Sequence, residues 1–206
     1  MRVVLASGNP GKLRELERLL GPVGWELVPQ GRLGIASAAE TGSTFVENAL
    51  LKARHAAREA AGAALADDSG IEVDALGGAP GIRSARYAGE QATDLENLEK
   101  LLAALDGTPP ERRTARYRCV IAYVASAADP HPIVAEGCWE GSIATTARGH
   151  GGFGYDPIFI PGEERAPRGG APARAHTAAE LDPAEKAAVS HRSRALAAFL
   201  AQLPRR

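Results

Sequence analysis

Short apolar runs and apolar stripes at helical spacing alternate along this chain, and the alternation predicts an α/β fold. Val3-Val4-Leu5-Ala6 is an unbroken apolar run ended by Ser7-Gly8, the pattern of a buried strand. Leu13, Leu16, Leu19 and Leu20 then recur at helical spacing behind Pro10, a residue that a first helical turn tolerates. Trp25-Glu26-Leu27-Val28 alternates and predicts a strand beside the first. Thr44-Phe45-Val46-Glu47 reads as a capping box opening a long helix. Its apolar stripe is Phe45, Ala49, Ala53, Ala56 and Ala60, with Glu47, Asn48, Lys52 and His55 around it and Gly62 as its stop. Ala64-Leu65-Ala66 predicts a strand with Asp67 and Asp68 at its carboxyl end, where open α/β sheets bind ligands.

Thr93-Asp94-Leu95-Glu96 is a second capping box, followed by an apolar face of Leu95, Leu98, Leu101, Leu102 and Leu105 that Gly107 ends. Tyr117 to Ala125 and Ile133 to Ile143 read as two strands of a hairpin across Asp129-Pro130-His131-Pro132, and Ile158-Phe159-Ile160 as one more strand. Gly162 to His176, rich in Pro, Gly, Ala and Arg, reads as a flexible surface loop. Asp182-Pro183-Ala184-Glu185 starts a short helix, and Ser190-His191-Arg192 opens a last one whose Leu196, Phe199, Leu200 and Leu203 pack inward before Pro204.

Composition narrows this picture without redirecting it. The chain has 206 residues, a length that one domain can accommodate, and 45% apolar residues with few aromatics imply a core of Leu, Val, Ile and Ala. A formal net charge of -1 gives no global attraction to nucleic acid or an anionic membrane, so any phosphate must be held locally. The two cysteines, Cys119 and Cys138, lie in strand-like runs and read as buried thiols; a disulfide is the lesser alternative. The first apolar stretch meets Ser7-Gly8-Asn9 too soon for a signal peptide or a membrane span, so the expected location is cytoplasmic.

Candidate chemistry centres on Ala66-Asp67-Asp68-Ser69-Gly70. Adjacent carboxylates in a partly buried place repel, which calls for a bound cation, and oxygen ligands without Cys or His favour Mg²⁺ or Mn²⁺ over zinc. A solvated turn is the competing reading. The run from Ile71 to Asp74 into Gly77-Gly78-Ala79-Pro80-Gly81, then Arg83, Arg86 and Tyr87, is read as part of the same active-site segment. Ser7-Gly8-Asn9-Pro10-Gly11-Lys12 joins a strand to a helix, so its amides, the helix dipole and the Lys12 ammonium can face one anion, although the spacing is not Walker A. Glu40 and Lys52 flank a common cleft only if the helix between them lines it; a solvated acid and lysine are the default. Four glycines around Phe153 in Arg148 to Pro157 suit a flat ligand such as a nucleobase, against a plain hairpin loop. His191 and Arg192 place strong donors at a helix start, where the dipole disfavours cations in water.

Ser7 to Lys12, Thr44-Phe45-Val46-Glu47-Asn48-Ala49, Asp67-Asp68-Ser69-Gly70, Gly77 to Gly81, Gly152-Phe153-Gly154-Tyr155-Asp156-Pro157 and Ser190-His191-Arg192 together resemble the inosine triphosphate pyrophosphatase family, in order and over nearly the whole chain. The resemblance implies one domain spanning 1–206: an elongated mixed sheet with flanking helices, in two lobes around a central nucleotide cleft. It implies a Mg²⁺-dependent homodimer that converts ITP, dITP and XTP to monophosphate and pyrophosphate; the oxygen ligands keep Mn²⁺ as an alternative, and charge and N-terminus lead to the expectation of a cytoplasmic protein with no nucleic-acid or membrane partner. By the same resemblance Ser7, Gly8, Asn9, Pro10, Gly11 and Lys12 bind the triphosphate, and Glu40 and Asp68 bind the metal. The resemblance also makes Asp68 the proton acceptor, a role that competes with holding the metal, and the chemistry of pyrophosphate release places Lys12 and Lys52 to offset developing charge. Ser69, Phe153, Gly154, Tyr155, Asp156, Lys186, His191 and Arg192 bind the rest of the nucleotide. Two alternatives remain: a pyrophosphatase with another base preference, and a nucleotide-binding regulator without turnover, which would need the glycine loops but not the acids.

Overall fold

The computed structural model describes residues 1–21, 24–162 and 175–203. Its strands are β1 (Arg2–Leu5), β2 (Glu26–Pro29), β3 (Ala64–Val73), β4 (Thr114–Val124), β5 (Ile133–Ile143) and β6 (Phe159–Pro161). Its helices are α1 (Pro10–Leu20), α2 (Phe45–Ala60), α3 (Asp94–Ala104), α4 (Pro183–Val189) and α5 (His191–Leu200). The strands form one sheet in the order β2-β1-β3-β4-β5-β6. β1 runs parallel to β2, with Val3 opposite Leu27, and parallel to β3, with Leu5 opposite Leu65, whereas β5 and β6 are antiparallel. The sheet is therefore mixed and the fold α/β, as the alternating pattern predicts.

The chain divides into two compact units, one comprising Met1–Asp68, Cys119–Gly137 and Arg194–Arg206, the other Ser69–Arg118 and Cys138–Ser193. The first buries Val3, Leu5, Leu16, Leu20, Leu65, Ile121, Leu196 and Phe199, with Trp25 edge-on to Phe199 at 5.6 Å between ring centroids. The second buries Ile71, Val73, Leu98, Leu101, Tyr117, Trp139, Tyr155 and Phe159, with Tyr117 and Phe159 4.7 Å apart.

Caps explain where the helices begin. Asn9 accepts the Gly11 and Lys12 amides at the start of α1, Thr93 and Glu96 close a full capping box on α3, and Asp182 caps α4. The box expected on α2 is half made: Thr44 accepts the Glu47 amide at 3.1 Å, but the Glu47 carboxylate turns back to the Ser43 amide and hydroxyl, both at 2.7 Å.

Four local expectations are corrected. Asp67 and Asp68 do not end a strand, because β3 continues through Ser69-Gly70 to Val73 and leaves the acids in mid-strand, which also disposes of the solvated turn. α2 stops on Ala61, left-handed at φ 48°, rather than on Gly62, and its buried stripe takes in Asn48 and Ala57 while Ala60 is only half-buried. Leu95 is 61% exposed, and the polar Asn97 is buried in its stead, its side chain bonded to the Ala88 amide and the Ala85 carbonyl. Both cysteines are free, as expected, but only Cys119 is buried, Cys138 being half-buried. The predicted loop at 162–176 falls largely on residues 163–174, and Pro204 on the last three; these lie outside the described residues. Among the described residues no helix is long and apolar enough to cross a membrane.

Gly141 of β5 lies so close to β6 that a Cβ there would run into the Ile160 carbonyl and sit 2.6 Å from the Phe159 ring. Gly141→Ala is expected to cost about 1–3 kcal/mol through overpacking, read as a fall in Tm. Gly21→Ala, where φ is −52° and the added methyl meets open space, is expected to hold Tm or raise it slightly.

Candidate functional site

Two buried acids on β3 organise the first unit. Asp67 is 1% exposed and Asp68 6%, so each needs a cation nearby. α1 supplies Lys12, whose Nζ lies 2.8 Å from Asp67 Oδ2. α2 supplies Lys52, whose Nζ donates to Asp68 Oδ1 at 2.6 Å and to Glu40 Oε1 at 3.0 Å. The helix thus brings Glu40, Lys52 and Asp68 together, which the solvated default does not. Burial raises the Asp68 pKa above the ordinary carboxylate value, with the Lys52 ammonium pulling the other way. Burial also disfavours the Lys52 ammonium, but Asp68, Asp67 and Glu40 outweigh it and hold its pKa above the usual lysine value. Asp68 Oδ2 is buried and has no hydrogen-bond partner among the described residues.

The loop carrying Glu40 is pinned by the first turn of α2. Fully buried Asn48 accepts the Gly42 amide on Oδ1 at 2.8 Å, next to the Ser43 contacts of Glu47. Sequence reasoning missed the pinning role of Asn48 and the pairing of Asp67 with Lys12, because neither partner is an immediate neighbour in the chain. In the Ser7 to Lys12 turn, Ser7 Oγ accepts the Asn9 amide at 3.2 Å, and Asn9 Oδ1 takes the Gly11 amide at 2.8 Å and the Lys12 amide at 3.2 Å. Pro10 has no amide hydrogen, so several of the donors expected to face an anion are engaged by the turn itself. Gly8 and Asn9 are exposed.

The second unit holds the other sequence-predicted residues around Asp156, which is 2% exposed. Its Oδ2 accepts the Phe153 amide at 2.8 Å and the Lys186 ammonium, and Tyr117 Oη lies 3.4 Å from its Oδ1. Gly152 has φ 77°, and any Cβ there would overlap Asp156 Oδ2, so a glycine is required on both counts. Lys186 Nζ and Arg192 Cζ lie 5.2 and 5.7 Å from the centroid of the half-buried Phe153 ring, within cation–π range. Arg192 also donates to Ser69 Oγ at 3.3 Å. Gly154 donates its amide to Asp94 Oδ2 at 2.9 Å, and buried Tyr155 donates its hydroxyl to the Ser84 carbonyl at 2.8 Å. Burial raises the Tyr155 pKa above the usual phenol value. His191 and Arg192 are buried at the start of α5, which removes the reading of a basic turn in water. The Gly77 to Tyr87 segment serves this unit through Ser84, which takes the Ile71 amide on Oγ and the Tyr155 hydroxyl on its carbonyl.

Among the described residues no group of three or more His, Cys, Asp or Glu forms a metal cage. Glu40 and Asp68 offer a different donor set: two hard carboxylates, one with a buried oxygen still to be satisfied. That set fits Mg²⁺, which keeps waters and completes its shell on substrate phosphates.

A profile of the Ham1 family matches residues 3–202. A relative from Methylococcus capsulatus named dITP/XTP pyrophosphatase is 54% identical over 202 residues, covering 98% of this chain and 96% of the relative. The solved structure of a HAM1 protein from Coxiella burnetii superposes with a TM-score of 0.84 at 48% identity, covering 96% of this chain and 95% of that one. A nucleoside-triphosphatase / dITP/XTP pyrophosphatase from Mycobacterium abscessus superposes with a TM-score of 0.73 at 45% identity, covering 99% and 98%.

Lys52→Met leaves Glu40 and Asp68 facing each other without their ammonium. Because Lys52 is mostly buried, the loss is expected to be about 2–4 kcal/mol in metal-free buffer at neutral pH. Urea unfolding with chelator present measures it, and a loss below about 0.5 kcal/mol would place the group in the class of exposed pairs instead.

Proposed function

The chain belongs to the Ham1 family, and on that footing we propose that it hydrolyses noncanonical purine nucleoside triphosphates, dITP, ITP and XTP, to the monophosphate and pyrophosphate. The observation that carries the reading is the Lys52 ammonium held between Glu40 and Asp68, acids from separate parts of the chain, with Asp68 Oδ2 left to be satisfied. A regulator that merely binds nucleotide has no use for this cluster. The reading takes residues 1–206 as one functional domain of a cytoplasmic homodimer without nucleic-acid or membrane partners, and the net charge of -1 supports the absence of a polyanion partner.

The residues take the following roles. Glu40 and Asp68 would hold Mg²⁺, with Mn²⁺ as an alternative, which when bound polarises phosphoryl oxygens as a Lewis acid. Lys12 and Lys52 offset charge on the phosphates, and the Ser7 to Gly11 turn seats the triphosphate chain. Asp68 accepts a proton from the water whose oxygen bonds to the α-phosphorus; the bond from that phosphorus to the bridging oxygen breaks, and pyrophosphate leaves with the electron pair. Burial makes the Asp68 carboxylate more basic than an exposed one.

In the second unit Phe153 offers a ring face to the base, while Lys186, His191 and Arg192 supply donors and Ser69, Gly154, Tyr155 and Asp156 shape and hold their setting. Hypoxanthine and xanthine present an acceptor at the 6 position where adenine presents a donor, so these groups pair with the former and leave the adenine amino group unmatched. One such mismatch is worth on the order of 1–3 kcal/mol, or one to two decades of selectivity.

Product analysis with dITP and Mg²⁺ tests the reading: pyrophosphate and dIMP are expected, and orthophosphate would overturn attack at the α-phosphorus. Asp68→Asn is expected to lower kcat by about a thousandfold or more while nucleotide affinity stays within about tenfold. Single-turnover assays at saturating Mg²⁺, beside equilibrium nucleotide binding, read the two effects separately. Arg192→Ala is expected to narrow the ITP to ATP ratio of kcat/KM by about tenfold.

A further inference from the structure

We propose that Tyr117, a core residue of β4, is a positioning residue that sets base selectivity by fixing the ring plane of His191. The inference rests on the reading of His191 as a base-recognition residue.

Tyr117 and His191 lie face to face, with ring centroids 4.6 Å apart and planes 9° from parallel. Both side chains are buried. An imidazole turning about its Cβ–Cγ bond carries both ring nitrogens through an arc, and a hydrogen bond weakens steeply as its donor angle falls. A parallel ring against one face restricts that turn, so His191 presents its nitrogens in one plane before the base arrives.

Tyr117 has little freedom itself. Phe159 lies 4.7 Å away at 60°, Trp139 stacks at 6.4 Å, and the phenol oxygen lies 3.4 Å from Asp156 Oδ1. The groups facing its hydroxyl bear on its protonation: burial first, then the Asp156 charge, keep it a neutral phenol far above its usual range, against a smaller pull from Arg192. The same Asp156 carboxylate holds Lys186 and the Phe153 amide, so one buried side chain touches His191 and the anchor of the other base-facing groups. At 3.4 Å the hydroxyl contact is long for an O–H···O bond, whereas the stack is close; the ring therefore does the positioning.

The test compares kcat/KM for dITP and dATP in the wild type, Tyr117→Phe, Tyr117→Leu, Tyr117→Met, His191→Ala, the Tyr117→Leu/His191→Ala double variant and Phe159→Leu. His191→Ala is expected to lower the dITP to dATP ratio by about tenfold or more. Tyr117→Leu and Tyr117→Met are expected to lower it by about tenfold, through KM for dITP with kcat within about threefold, while Tyr117→Phe, which keeps the ring, stays within about twofold of the wild type. The double variant should discriminate no worse than His191→Ala alone, since Tyr117 acts through His191. Phe159→Leu loosens the same core and one restraint on Tyr117 but keeps the stack, and should lower Tm while moving the ratio by less than Tyr117→Leu does. The proposal is overturned if Tyr117→Leu and Tyr117→Met keep the ratio while His191→Ala loses it, if their effects add fully in the double variant, or if Phe159→Leu shifts the ratio equally. An unchanged ratio in His191→Ala would sink the base-recognition reading itself, and the proposal with it. Having both Leu and Met variants keeps the result readable if one of them does not fold.

Discussion

Neutralising two consecutive buried carboxylates is the constraint on which the rest of the first unit depends. A charge with a partner about 4 Å away at an effective dielectric near 20 gains about 4 kcal/mol, while an uncompensated buried carboxylate costs several. Asp67 and Asp68 therefore require two cations, and the chain delivers one from each of two helices: Lys12 from the first turn of α1 and Lys52 from α2. Lys52 also gathers Glu40 from the preceding loop, so the same electrostatic need sets the placement of β3, both helices and the loop. Such a group is suited to receive a polyphosphate. Its ammonium groups are already held in place by the carboxylates, so little side-chain ordering is left to be done on binding.

The second unit applies the same rule with one acid. Asp156 is buried among aromatics and meets an ammonium, a backbone amide and a phenol. Its carboxylate thereby turns a glycine-rich loop, which has little conformational preference of its own, into a fixed arrangement with the Phe153 ring beside two cations. Without a Cβ at Gly152 the carboxylate can approach; with one it cannot. In both units a buried charge does the work that shape alone cannot do in an alanine-rich, aromatic-poor chain.

These two facts explain which features were legible in the sequence. Apolar periodicity and caps are local, so α1, α2, α3 and the bounds of β5 follow from a few neighbouring residues, as do the N-caps Thr93 and Asp182. Burial of polar groups is a tertiary property and leaves no local trace. Asp67 and Asp68 looked like the end of a strand because they broke an apolar run, yet the lysines that satisfy them let β3 continue to Val73. Asn48, read only as lying beside the apolar stripe, and Asn97 are each buried on backbone groups brought in from a neighbouring segment. Leu95 is the converse: a leucine at the right spacing whose side of the helix faces water. Ala61 shows a third kind of failure, since the helix takes its left-handed stop one residue before the glycine that propensity favours.

The candidate chemistry was legible as residue types and became specific only as geometry, and Asp68 shows why. A carboxylate bonded to a metal or to an ammonium is a weaker base, so the roles assigned to Asp68 compete when the group is treated as a single point. In the folded chain its two oxygens are not equivalent. Oδ1 is committed to Lys52 at 2.6 Å, whereas Oδ2 is buried without a hydrogen-bond partner among the described residues. Burial raises the basicity of the whole group while Lys52 lowers it, and the net direction is upward. Asymmetry within one carboxylate thus orients the group through one oxygen and leaves the other available, an arrangement suited to the two roles proposed for Asp68.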